Sequence, residues 1–219
     1  MISENSLRRI NKFEEKDLIP LICSASALRK EGHLRLLLSR AQSVSLNQNK
    51  LYESLLQNYL FAGYPSAMIS LKILSEYFPY HNKNLLEKQN LKIFRERGIR
   101  NCEKIYGNKF SKLISNVKEF SPELSEWLVL EGYGKVFGRK GLSLKQRELN
   151  IISVLGVLKF EDQLYSHING AFRTKSSREE IQCVLENLRI FGRNEWTDFG
   201  VKVLNRYLKE KGIESSIPL

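Results

Sequence analysis

Apolar residues along this chain return every three or four positions rather than every two, the period of helices that bury one face. The pattern is clearest over residues 50–61, 67–77, 85–99, 123–130, 144–158, 162–172 and 178–190. It predicts an all-α fold of about ten helices. Starts and stops fall where such helices need them. Ser121-Pro122-Glu123-Leu124 sets a capping hydroxyl ahead of a proline at the first helical position. Ser177-Arg178-Glu179-Glu180 reads as a capping box, in which a hydroxyl and a carboxylate each take an orphan backbone N–H. Gly63-Tyr64-Pro65 and Gly132, Gly134, Gly138 and Gly141 punctuate the joins. The last four predict a mobile segment or pocket rim, or else two tight helix caps.

Shifting the chain by 130 residues lays one half over the other. Ile22-Cys23-Ser24-Ala25-Ser26-Ala27-Leu28-Arg29 then matches Ile152-Ser153-Val154-Leu155-Gly156-Val157-Leu158-Lys159. Leu34, Leu38 and Ala41 meet Leu164, Ile168 and Ala171, and Leu51, Leu55, Leu60 and Phe61 meet Ile181, Leu185, Ile190 and Phe191 without a gap. A register held over roughly forty-five residues points to two copies of one helical unit, because unrelated amphipathic helices drift out of step across their loops. The copies differ at two ionisable positions: Glu148 and His167 of the second stand over Leu18 and Leu37 of the first. The second copy is therefore expected to hold a site, with the first as scaffold.

The 219 residues are 42% hydrophobic and 27% charged, which is enough apolar side chain for a substantial core and too much for a disordered chain. Thirty-five basic against 24 acidic residues leave a formal charge of +11. That charge admits a nucleic acid, an anionic membrane surface or an acidic small molecule as partner without choosing among them. Nucleic acid ranks low, because the basic residues are spread over nearly every helix instead of gathering among aromatics, and no recognition motif is legible. The polar start MISENSLRRINKFEEKD has no signal-peptide core, and no run of eighteen apolar residues occurs. A soluble cytoplasmic protein with no membrane partner is the expectation. Cys23, Cys102 and Cys183 are odd in number and far apart, with no C-x-x-C pair. They speak against a disulfide framework, a structural zinc and a dithiol redox centre.

Glu148 and His167 have the makings of acid/base chemistry. Nineteen residues separate them, on successive predicted helices that can fold back at Lys159-Phe160-Glu161. A carboxylate beside an imidazole moves protons near neutral pH, since each shifts the other's titration. The plain alternative is a core histidine and a solvated glutamate. His33 and His81 read as exposed loop residues, and Trp127 and Trp196 as core or interface anchors. Arg139, Lys140, Lys145 and Arg147 gather positive charge just ahead of Glu148. A guanidinium there can hold a substrate carboxylate through paired hydrogen bonds, or can simply sit solvated at a helix start. Phosphate-cradling glycine loops, a nucleophile elbow and H-E-x-x-H are absent.

Leu142-Ser143-Leu144-Lys145-Gln146-Arg147-Glu148-Leu149, then Asp162-Gln163-Leu164-Tyr165-Ser166-His167-Ile168-Asn169-Gly170-Ala171, then Ser177-Arg178-Glu179-Glu180-Ile181 follow one another in order. This succession resembles the carboxymuconolactone decarboxylase family, whose wider group includes the alkylhydroperoxidase D proteins. Between the copies, Arg97-Gly98, Cys102, Ile105-Tyr106-Gly107 and Glu131-Gly132-Tyr133-Gly134 look like the longer members with a degenerate leading copy. The resemblance implies a leading unit at 1–80, a helical linker at 81–135 and a unit at 136–219 that carries the site. It also implies an alkylhydroperoxidase D-like helical bundle that associates into a homo-oligomer, a trimer of two-unit chains.

Carried over by position, Glu148 and His167 match the family's acid and histidine, while its two cysteine places fall on Phe160 and Gln163. Without those thiols a dithiol peroxidase is disfavoured. The decarboxylase branch lacks them too, and it implies a lyase acting on a small carboxylated γ-lactone, an anionic substrate, with no metal or organic cofactor. In that reading His167, oriented by Glu148, delivers a proton, while Arg139, Arg147 and Tyr165 bind substrate. A non-enzymatic helical oligomer whose site has decayed is the alternative from another class.

Overall fold

The computed structural model describes residues 4–79 and 88–213, which form helices and their connections with no strand among them. His81 lies outside the described residues, as do residues 85–87 at the start of one expected helix. In chain order the helices are α1 (Glu4–Ile10), α2 (Glu15–Ala27), α3 (Glu31–Ser43), α4 (Gln48–Gln57), α5 (Tyr59–Tyr77), α6 (Leu91–Tyr106), α7 (Phe110–Phe120), α8 (Pro122–Trp127), α9 (Leu144–Leu158), α10 (Glu161–Arg173), α11 (Arg178–Asn187) and α12 (Asn194–Glu210). A π-helical segment, Leu128–Val136, continues α8. No helix among the described residues is long and apolar enough to cross a membrane.

Two helices are buried on nearly every side and pack on each other. In α2 the residues from Leu18 to Ser26 are all buried, and in α9 so are Arg147, Glu148 and the run from Asn150 to Val157. Such helices read as apolar around the whole circumference and belong in the middle of a bundle. Ser153 of α9 donates its Oγ–H to the Pro20 carbonyl of α2 at 2.6 Å, satisfying a polar group that burial would otherwise penalise. Ser143 caps α9 in a reciprocal box with Gln146, and Ser177 caps α11 with Glu180. Ser121 caps α8 ahead of Pro122.

The bounds of α3 and α10, and of α4 and α11, keep the offset of 130 residues. Helices α3 and α10 have 13 residues each, and α4 and α11 have 10 each. The left-handed residues Arg29 and Ser45 recur at Lys159 and Lys175. Leu18 and Leu37, opposite Glu148 and His167, are fully buried in the apolar core.

Several expectations shift. The run expected over 50–61 breaks at Asn58 between α4 and α5, while the join expected at Gly63-Tyr64-Pro65 stands: Gly63, with φ 80° and ψ 164°, leaves helical geometry inside α5, and two helical stretches meet there at a kink ahead of Pro65. His33 sits within α3 rather than in a loop, half-buried with its ring 5.3 Å from Phe191. Burial and the neighbouring Lys30 charge hold its pKa below the ordinary imidazole value. The helix expected over 85–99 occupies Leu91–Tyr106. The helix expected over 123–130 changes winding after Trp127, and the Phe137 N–H reaches the Gly132 carbonyl at 2.9 Å, five residues back.

Gly132 and Gly134 therefore lie inside a helical segment instead of at a join. A Cβ on Gly134 would stand 2.1 Å from the Phe94 carbonyl oxygen, and one on Gly98 2.1 Å from that of Val129. The glycines let α6 and the π-helical segment meet backbone to backbone. Asn101 Nδ2 seals that contact by donating to the Tyr133 carbonyl at 2.8 Å.

Candidate active site

The short turn at Lys159 folds α10 back on α9 and brings Glu148 and His167 into contact, with His167 Nδ1 2.8 Å from Glu148 Oε2. Glu148 is fully buried and His167 nearly so. Gly170, one turn along α10, leaves the space the carboxylate occupies, since a Cβ there would lie 2.9 Å from Oε2. The second oxygen, Oε1, is buried and receives no hydrogen bond from the described residues. An acceptor left unpaired in the interior costs stability, and such groups concentrate where chemistry needs them. With Nδ1 engaged by the carboxylate, Nε2 is the nitrogen the imidazole can present to a ligand. The Phe61 ring meets the imidazole edge-on at 5.6 Å and fixes its plane.

His167 lines a cleft of about 600 Å³, within the usual range for a small-molecule site. Beside it lie Tyr106 of α6 and Tyr133 of the π-helical segment, whose hydroxyls hydrogen-bond each other. Burial pushes both hydroxyls well above the ordinary tyrosine pKa, and the nearby Glu148 charge adds to the rise. They stay protonated and offer a neutral O–H donor. Ser166, Gln163 and Asp162 line the α10 side. Opposite lies Glu131, which accepts from Tyr59 and from Lys135 Nζ at 3.1 Å. Leu60 and Phe61 come from α5, and Leu113, Val117, Phe120, Leu124, Trp127 and Leu128 close the wall from α7, α8 and the π-helical segment. Most of that wall comes from the span 81–135, expected to be a linker.

Arg139, Arg147 and Tyr165 do not line this cleft. Arg147 is fully buried and reaches Glu53 Oε2 at 3.2 Å and Gln57 Oε1 at 3.1 Å. Arg139 grips the same Glu53 with Nε and the terminal nitrogen at 2.8–3.0 Å. The expected carboxylate ligand for these arginines is thus supplied by the protein's own α4. Tyr165 turns toward α12, where it donates to Glu210 and lies beneath Arg206. Tyr106 and Tyr133 lie in segments that carry the family resemblance but are not among the residues expected at the site. What could have marked them for the site is adjacency to glycines in Tyr106-Gly107 and Gly132-Tyr133-Gly134. Trp196 is buried in the core, whereas Trp127 is 58% exposed on the cleft wall.

Cys23 and Cys102 are buried and Cys183 is exposed, all as free thiols. Burial raises each pKa, that of Cys102 to about 12, and Asp17 adds to the rise at Cys183. Among the described residues no group of three or more His, Cys, Asp or Glu is placed to hold a metal ion.

The fold and the site together define an all-α bundle with an acid–imidazole pair at the buried end of an apolar cleft. No family model matches the chain. Over 119 residues, 54% of this chain and 89% of the relative, it is 21% identical to the 4-carboxymuconolactone decarboxylase of Acinetobacter baylyi.

Proposed function

We propose that this chain is a cofactor-independent lyase of the carboxymuconolactone decarboxylase type, with Glu148 and His167 as its reactive pair. The observation that carries the reading is the 2.8 Å contact of a buried carboxylate with the imidazole that opens onto the cleft. The similarity to a 4-carboxymuconolactone decarboxylase supports the reaction class. In the proposed reaction an unsaturated γ-lactone loses carbon dioxide as its carbon–carboxylate bond breaks. The bonding pair moves through the double bond onto the lactone carbonyl oxygen. Tyr106, held by Tyr133, donates a hydrogen bond to that oxygen as charge gathers there. His167, as imidazolium steadied by Glu148, then delivers one proton to the α carbon and is reprotonated from water. One carbon dioxide leaves and one proton is taken up. Apolar walls around the departing carboxylate favour the charge-dispersed transition state over the ground state.

The peroxidase alternative lacks support, because a thiolate is the attacking species and burial disfavours it at Cys23 and Cys102. The same proposal takes 1–80 and 136–219 as copies of one unit joined by 81–135. The shared offset of helix bounds and left-handed residues supports it.

Carbon dioxide release from a panel of carboxylated γ-butenolides, 4-carboxymuconolactone included, tests the function. His167→Ala is expected to lose about a hundred- to ten-thousand-fold in turnover. In heavy water the wild-type product gains one deuterium at the α carbon. A panel with no turnover, or turnover untouched by His167→Ala, sinks the reading.

A further inference from the structure

The cleft changes character along its length. At its buried end stand His167, Tyr106 and Tyr133; at its open end Phe120 is 73% exposed and Leu124 and Trp127 are at least half exposed. Apart from His167 at the buried end, the charged side chains that line it, Glu131 and Asp162, are acidic, and among the described residues no lysine or arginine lines it. A second carboxylate along this wall would find no lysine or arginine to pair with it, and would meet Asp162 and a Glu131 already paired with Lys135. The open end offers instead an apolar wall built by the outward faces of Leu113, Val117, Phe120, Leu124 and Trp127. Helix α7, which supplies three of these residues, has no buried residue at all, so its apolar stripe is only partly covered by the rest of the protein.

We propose that the substrate of this site is a lactone bearing an uncharged apolar arm, alkyl or aryl, where a second carboxylate would otherwise stand. The lactone carbonyl lies at the Tyr106 and His167 end, and the arm runs out along α7 and α8. The inference rests on the reading of Glu148 and His167 as the reactive end, and it adds the determinant of specificity. Each methylene of the arm that leaves water strengthens binding about fourfold, so a long alkyl arm dominates the affinity of a small polar ring.

The test follows the fluorescence of Trp127 in the purified full chain, with Trp127→Phe identifying its share of the signal against Trp196. The probes are γ-dodecalactone, γ-butyrolactone and γ-(carboxymethyl)-γ-butyrolactone, whose acid stands on the arm. The armed lactone is expected to give a saturable change at concentrations at least about a hundredfold below either short one, the gain from only about three or four methylenes of its arm leaving water. Leu124→Glu, at an exposed position where folding is not at stake, is expected to weaken it at least about tenfold. His167→Ala retains binding while losing turnover. The inference is overturned if γ-(carboxymethyl)-γ-butyrolactone binds as tightly as γ-dodecalactone, or if no lactone produces a saturable change. It is also overturned if the signal follows protein concentration alone, which would assign the face to a second copy of the chain. Binding of γ-dodecalactone without any decarboxylation in the butenolide panel would sink the lyase reading and leave the cleft's preference standing. His167-dependent decarboxylation of short substrates with no response to the arm would do the reverse.

Discussion

Glu53 holds two guanidinium groups inside the protein, Arg139 from the glycine-rich join and Arg147 from the first turns of α9. Burial pulls the Arg147 pKa down, and the Glu53 carboxylate opposes that shift. Because Arg147 is fully buried, Glu53→Ala strips it of its counter-charge and is expected to cost about 3–5 kcal/mol in urea unfolding. Adding Arg147→Met to that variant removes the stranded charge and is expected to restore part of the loss. If Glu53→Ala unfolds like the wild type, the network is not holding α4 to α9. The partner was illegible in the sequence because Glu53 lies 94 residues from Arg147, and only the packing of the first half on the second brings them together. The proximity of Glu148 to His167 was legible for the opposite reason. Two consecutive helices joined by a tight turn leave few ways to place side chains nineteen residues apart. Tyr106 and Tyr133 gave little warning, since a tyrosine on an amphipathic helix reads as ordinary core.

At the scale of elements, the contact between α6 and the π-helical segment shapes the polar end of the cleft, because α6 carries Tyr106 and the segment carries Tyr133. Their spacing depends on glycine. Gly134→Ala puts a methyl group 2.1 Å from a carbonyl oxygen that belongs to a helix backbone and has nowhere to retreat. It is expected to lower stability by about 1–3 kcal/mol and, by separating the tyrosine hydroxyls, to reduce His167-dependent turnover. Gly132→Ala is the matched control, with nothing within 4 Å of its Cβ. It should leave the unfolding free energy unchanged or raise it by about 0.5–1 kcal/mol through helix propensity. Equal losses in the two variants would refute the close-contact account. The period of three and four shows that helices exist here, but it carries no mark of a switch to π winding, and clustered glycines look the same at a join as in a helix contact.

Across the whole molecule, the two halves are not beads on a string. Helices α2 and α9 each bury nearly their full circumference, and each is the other's principal neighbour. Separating the halves would expose both apolar surfaces at once and would break the Ser153–Pro20 hydrogen bond and the Glu53–Arg147 ion pair. The span between them adds a third tie, since it supplies most of the cleft wall against α10. The sequence pattern predicts helices in that span but leaves their placement open, because an amphipathic face does not say what it covers. With one continuous core reaching from Ile10 to Leu208, unfolding of the halves must be coupled. Far-ultraviolet circular dichroism and tryptophan fluorescence are therefore expected to follow a single, coincident urea transition. Trp196 reports on the second half and Trp127 on the span between the halves, so a domain-by-domain mechanism would separate their midpoints in single-tryptophan variants. Two resolved transitions would mean that the α2–α9 contact is too weak to couple the halves, and the cleft would then open before the core is lost.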